Sequence, residues 1–321
     1  YDSNGDNGHI LLEPTSTNFV TYSEDFSQWT KSSGGTGSAP VITLNNSISP
    51  DGTQNADKIV FDKGTGTSVS DYSVLTTSFT SQSNTASIYI KADSPQRIVI
   101  RNSSTWEGYD IGTDWTRIEK TDTGGSIQIG LRDGYGVANV PNTATVYLWG
   151  AQVEALSYAT SYIPNHGTAV GVTRATETLT GSGNSTLINS TEGVLYAEIA
   201  ALADDISGFR VLGISDGGST NRIFIGYTSN NIYANVGAGT TIGSAYTPTN
   251  ASNFHKVALK YENNNCKFFV DGSQIGSTTT SITIPSGMNS LQFDSGAGGS
   301  DFYGKCKALA VFNEALSDAE L

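Results

Sequence analysis

The chain has 321 residues, enough for two domains of about 100–200 residues, each burying its own core. Its formal net charge is −13 and no Lys/Arg cluster occurs along it, which argues against nucleic acid and anionic membrane as partners. The acidic balance serves solubility, or lets some carboxylates hold Ca²⁺ through oxygen ligands.

Only 15% of residues are charged and 36 are Gly, alongside abundant Ser, Thr and Asn, a mixture that disfavours long helices and suits a turn-rich, all-β protein. In chain order, residues 1–20 read as an extended, polar N-terminal arm ending in ILLEPTSTNFV, and TYSEDFSQWTK follows. SPDGT (49–53) is a turn signature, with Pro presetting φ and Asp-Gly supplying the bend. NADKIVF, TASIYIKA, QRIVIR, DWTRIEKT and GSIQIGLRD read as short strands with period-two alternation. TATVYLWGAQVE (143–154) is the most apolar of them and is expected to be a central strand. These segments predict a first β-sandwich over 21–165. Residues 166–190 turn polar and read as a linker with an edge-strand piece. From GVLYAEIAAL onward, strands recur with turns about every 8–12 residues, predicting a second β-sandwich over 191–321. Ser317 and Glu320 form a capping-box pair for one helical turn at the end.

No run reaches about 18 apolar residues, so no membrane insertion is expected. The start lacks the basic and apolar regions of a signal peptide, and both ends read as cuts in a longer polypeptide. Cys266 and Cys306 make no disulfide framework; they are two buried thiols or one bridge.

Two segments resemble known families. LLEPTSTN, YSEDFSQW, SPDGT, WGAQVE, ATSYIP and TRATE, spread over about residues 10–178, resemble a module of phage tail and virion proteins whose fold is akin to carbohydrate-binding jelly rolls. FHKVALKYENNNCKFFVDGSQIG and FYGKCKALAVFNEALSDAEL, within about 190–321, resemble concanavalin A-like, laminin-G-like jelly rolls. The first resemblance implies a virion appendage that attaches to host-surface glycan, sits among other virion subunits and assembles as a homotrimer. A structural spacer, or an accessory module of a secreted or bacterial cell-surface polysaccharide-degrading protein, are the alternatives. It also implies a structural Ca²⁺ near the first strand, with Glu24, Asp25 and Asp51 as its ligands; turn and cap roles are the competing reading.

No nucleophile, phosphate-loop, zinc or dinucleotide pattern occurs, His9, His166 and His255 are far apart, and the E-x-D-x-x-E string of sandwich glycosidases is missing. The expectation is therefore a non-catalytic protein. Sugar recognition needs an aromatic face beside polar groups that bind hydroxyls. STWEGYD offers Trp106, Glu107, Tyr109 and Asp110 in a polar loop, and RDGYG adds Arg132, Asp133 and Tyr135. In the second half, Asn221, Arg222, Tyr227 and Tyr233 lie on or beside strands expected to form a concave face. Trp29, Trp115 and Trp149 read as structural.

Overall fold

The computed structural model describes residues 8–204 and 208–321. The chain divides into two compact units: Thr15–Ala175, and a second in which the segment up to Pro14 joins Thr176–Leu321. The two ends of the second unit meet because Ile10–Leu12 pairs antiparallel with Gly304–Phe312, Ile10 facing Cys306. Among the described residues, the fold is nearly all-β, and no helix is long and apolar enough to cross a membrane. The short 3-10 turn Phe26–Gln28 is capped by the Asp25 side chain, which accepts from the Ser27 amide.

In Thr15–Ala175, Ser16–Asn18 pairs with Val172–Arg174, and the other described strands run across one bent sheet in the order Ser38–Ser47, Ala56–Asp62, Thr143–Glu154, Tyr72–Lys91, Thr116–Arg132, Gln96–Asn102 and Thr105–Ile111, with Thr30–Gly34 also against Tyr72–Lys91. Thr143–Glu154 is central, as its composition predicts. Two long strands fold this sheet onto itself. Tyr72–Lys91 pairs with Thr116–Arg132 along most of its length, but the register shifts between Ser78 and Gln82, opposite Gly124–Ser126. The inward parity changes across that irregularity: Leu75 and Ile129 face the core on one side of it, Ile88 and Ile118 on the other. A Cβ on Gly125 would stand 2.7 Å from the Phe79 carbonyl oxygen, so the bend requires glycine. Ile98 and Ile100 thereby share a core with Ile59, Phe61, Val146 and Leu148.

The segments around residues 16–25 and 151–165 lack a continuous ladder, and side chains take over its hydrogen bonding. Asn18, fully buried, donates to the Ser23 hydroxyl and to the Ala151 and Ile163 carbonyls, and accepts from the Val20 and Val153 amides. Gln152 accepts from the Ile163 amide at 2.6 Å and donates to Glu154. Buried Glu154 also accepts from Ser16, from the Thr160 amide and from the Thr160 hydroxyl. Gly150 bulges the strand here with φ 65°, so that Ala151 and Val153 take over the core side from Val146 and Leu148 and Gln152 turns to the opposite face, where it reaches this network.

The second unit is a sandwich of two antiparallel sheets. One orders Ile10–Leu12, Gly304–Phe312, Glu192–Ala201, His255–Glu262, Lys267–Val270 and Ser273–Gln274. The other orders Thr240–Thr241, Asn231–Val236, Arg222–Thr228, Phe209–Ser215 and Ser290–Gln292. Alternate residues meet between them: Leu195, Ala197, Ile199, Val257 and Leu259 from the first, Leu212, Ile214, Ile223, Ile225 and Ile232 from the second. Cys266 and Cys306 are both buried and unpaired. Glu320 accepts from the Ser317 amide and hydroxyl, the pair its spacing predicts.

Replacing Asn18 by Ala removes five hydrogen bonds and leaves buried partners unsatisfied. It should destabilise Thr15–Ala175 by about 3 kcal/mol or more, whereas Thr17→Ala, at an exposed hydroxyl pair with Thr173, should cost less than about 0.5 kcal/mol. Chemical denaturation of both variants checks this; equal costs would remove Asn18 from its central role.

Candidate functional site

In the second unit, the sheet holding Phe209–Ser215, Arg222–Thr228 and Asn231–Val236 turns one face to the core and the other outward. Because Ile223, Ile225 and Ile232 point in, the alternation sends Phe224 and Tyr233 out. Glycines separate the outward side chains: the register aligns Gly213 with Phe224 and Asn235, and Val211 with Gly226 and Tyr233. A Cβ on Gly213 would stand 2.6 Å from the Phe224 Cβ, so glycine there leaves the ring its place.

These residues wall a cavity of about 420 Å³. Tyr233 packs against Phe209 and Phe224 with both ring centroids 5.9 Å away. The Arg222 guanidinium lies 4.9 Å over the Phe224 ring and donates to the Ser295 carbonyl. Tyr233 is 4% and Asn235 9% exposed, yet the Tyr233 hydroxyl and the Asn235 Oδ1 are buried atoms with no hydrogen-bond partner. Burial pushes the Tyr233 phenol well above its ordinary pKa, so it keeps its proton and stays a donor. Among the described residues, the lining contributes no carboxylate, and so no facing acid pair of the kind glycoside hydrolysis requires.

Arg222 and Tyr233 therefore come together as the sequence suggests, joined by Phe209, Phe224 and Asn235, which it did not single out. Tyr227 is a correction. It is fully buried in the core between the sheets, and its hydroxyl donates to the Ile199 carbonyl, so it presents nothing to a ligand. Asn221 sits in the turn before its strand, donating to Asp216, and is not among the lining residues.

In Thr15–Ala175, STWEGYD is not a loop but the edge strand Thr105–Ile111, paired with Gln96–Asn102. The pleat divides the candidates between two faces. Trp106 and Asp110 share the outward face, while Tyr109 packs against the core and donates to Glu107, which also pairs with Lys120 at 3.1 Å. Asp110 pairs with Arg97 at 2.6 Å, and Asp133 with the buried Lys63 at 2.6 Å. Trp106, Arg132 and Tyr135 do meet, with the Trp106 and Tyr135 ring centroids 6.4 Å apart and the guanidinium of Arg132 lying over both rings. The other tryptophans are structural: Trp29 and Trp149 are buried, and Trp115 donates to the Ile48 carbonyl.

The carboxylates expected to hold Ca²⁺ are engaged otherwise. Asp25 caps the 3-10 turn, Glu24 accepts from Tyr162 and Asn55, and Asp51 closes the SPDGT turn by accepting from Ser49, Thr53 and Asn55. The Ser49 hydrogen bond leads the interactions that hold Asp51 down at about 2. Among the described residues, no three His, Cys, Asp or Glu side chains converge on a point where they could share a metal ion.

The folds so described are built from antiparallel β-sheets packed face to face. Residues 201–321 match the Laminin_G_3 family, the concanavalin A-like lectin/glucanases superfamily. No curated protein matches the chain. Similar solved structures include the CBM40 of Ruminococcus gnavus IT-sialidase bound to alpha2,3 sialyllactose (17% identity, 45% of this chain and 94% of that one, TM-score 0.36). A CBM4 structure matches at 20% identity over 36% and 85% of the two chains, TM-score 0.23. Mouse laminin alpha1 domains LG4-5 match at 10% identity over 97% and 96%, TM-score 0.29. At these scores the structural likenesses carry no weight for function.

Buried Asp57, beside Glu24 and Asp25, provides a test of the cation question. Desolvation raises it to about 6, with the two acidic neighbours adding to the rise and the Asn45 and Phe26 amides opposing it. Its folded-state value lies above the unfolded one, so its contribution to stability is fully present below the unfolded value and is lost as pH rises to about 6. A carboxyl NMR titration should place its midpoint near 6 with or without millimolar Ca²⁺. A calcium-dependent fall in that midpoint would place the ion beside Asp57.

Proposed function

We propose that the chain is a non-catalytic glycan-binding module whose principal site is the cavity walled by Phe209, Phe224, Tyr233, Arg222 and Asn235. The carrying observation is the pair of buried polar atoms without partners, the Tyr233 hydroxyl and the Asn235 Oδ1, on the lining of an aromatic cavity. Leaving a buried polar group unsatisfied costs about 1–3 kcal/mol, and a ligand bearing hydroxyl groups relieves that cost on binding. Aromatic walls suit the C–H face of a pyranose, and a phenol donor beside an amide acceptor suits a hydroxyl. The cavity lies in the segment that matches the concanavalin A-like lectin family, which supports the same reading. The motif blocks of residues 10–178 support a place in a phage tail or other virion appendage, touching host-surface glycan alongside other virion subunits as a homotrimer.

On an array of neutral glycans the full chain should give reproducible hits. Phe224→Ala should remove them, and Tyr233→Phe should weaken them by about tenfold. Tyr227→Phe should leave them unchanged, since its hydroxyl serves the core. An array without hits, or hits unaffected by Phe224→Ala, would sink the proposal.

A further inference from the structure

The outward face of the Thr15–Ala175 unit assembles cations that the sequence scatters. Register brings Arg101 opposite Trp106 on one side and Gln128 on the other, with Thr76 beyond. Two residues along, Gly108, Val99, Gly130 and Val74 form the next row. Beyond them Arg97 faces Asp110, and Arg132 faces Tyr72. The middle row carries no long side chain, so Arg132 lies across it. Its guanidinium carbon stands 4.5 Å from the Tyr72 ring centroid, 5.1 Å from Tyr135 and 5.7 Å from Trp106. The loop after Arg132 is tied down on both sides, Asp133 to buried Lys63 and the Ala138 carbonyl to Arg97, which holds Tyr135 at the rim, 58% exposed.

The charges of this face do not cancel. The chain has 30 acidic residues against 17 Lys and Arg, so carboxylates are not scarce in it. Asp110 is taken by Arg97 and Asp133 by Lys63. Arg101 donates to the Gln128 amide oxygen at 3.2 Å and Arg132 to the Tyr135 hydroxyl at 3.4 Å, and neither has a carboxylate partner among the described residues. The Nε of each is buried without a hydrogen bond. Rings hold the Arg132 fork in one orientation, and a planar guanidinium so held matches a carboxylate by two parallel hydrogen bonds.

We propose that this face, around Arg132, Arg101, Trp106 and Tyr135, binds a saccharide carrying an isolated carboxylate. Trp106 and Tyr135 offer ring faces for the sugar, and Arg132 with Arg101 takes the acid. A single carboxylate on an otherwise neutral sugar fits better than an extended polyanion, which a net charge of −13 repels. The site belongs to a different unit from the 420 Å³ cavity, so either can fail alone.

The test titrates the full chain calorimetrically with oligosaccharides ending in galacturonate or in N-acetylneuraminate, each beside its carboxyl-reduced counterpart. At least one acid should bind about tenfold or more tightly than its reduced form, and which one does separates a uronate from an ulosonate. Arg132→Gln should abolish that preference. Arg132→Lys should restore little of it, because charge remains and the fork is lost. Phe224→Ala, in the other unit, should leave it intact. Equal affinity for acid and reduced forms overturns the proposal, as does a preference that survives Arg132→Gln, or binding of a single-stranded oligonucleotide with no saccharide bound. Thermal unfolding verifies each variant; should Arg132→Gln not fold, Tyr135→Ala on its exposed loop takes its place, and an undiminished preference there overturns the proposal equally.

Discussion

The Thr15–Ala175 unit depends on the buried hydrogen bonds of Asn18, Gln152 and Glu154. Backbone that leaves a ladder inside a protein must find other partners, since each unpaired amide or carbonyl is costly. Here the substitutes are side chains. Asn18 serves two amides and two carbonyls, Gln152 serves the Ile163 amide, and Glu154 gathers Ser16, Thr160 and Gln152. Ser23 completes the join, exchanging backbone hydrogen bonds with Asn165 and Ala151. A network of this kind admits one arrangement of its segments, because partial satisfaction is worse than none.

That network changes what the motif blocks of residues 10–178 signify. Asn18 belongs to LLEPTSTN, Gln152 and Glu154 to WGAQVE, and Thr160 and Ile163 to ATSYIP. Asp51 of SPDGT satisfies its own turn, with Gly52 at φ 87°. The most recognisable residues of this half are therefore architectural. They identify how the unit is built and leave ligand choice to positions that the motif does not contain, such as Trp106, Arg101 and Arg132.

Strand content and the two-sandwich fold were legible from alternation and turn chemistry. Inward and outward faces were legible too where apolar residues alternate cleanly. In RIFIGYT, Ile223 and Ile225 set the parity that sends Phe224 out and Tyr227 in, a signal that a count of aromatic residues passes over. Thr105–Ile111 read as a loop because an edge strand has one unpaired side and, here, polar residues on both faces, so its alternation is weak. Two features have no local signal at all. The pairing of Ile10–Leu12 with Gly304–Phe312 joins positions nearly the whole chain apart. The arginine face depends on Thr116–Arg132 lying between Tyr72–Lys91 and Gln96–Asn102 and not beside the strand that precedes it, and on a bulge that reverses parity within two of them.

The two candidate faces solve opposite problems with the same pleat. In the lectin-like unit, the outward row sets two neutral groups beside Arg222, and its unpaired phenol and amide oxygen stay costly until something fills the cavity. In the other unit, the outward row offers charge, and the aromatic rings around Arg132 compensate that charge without neutralising it. A carboxylate from the same chain would have satisfied Arg132 more cheaply, as Asp133 satisfies Lys63 one residue further on. Stability alone favours that solution. A guanidinium fixed by rings, with its fork left open, is the arrangement that favours an acid arriving from outside, because little side-chain freedom remains to be lost on binding.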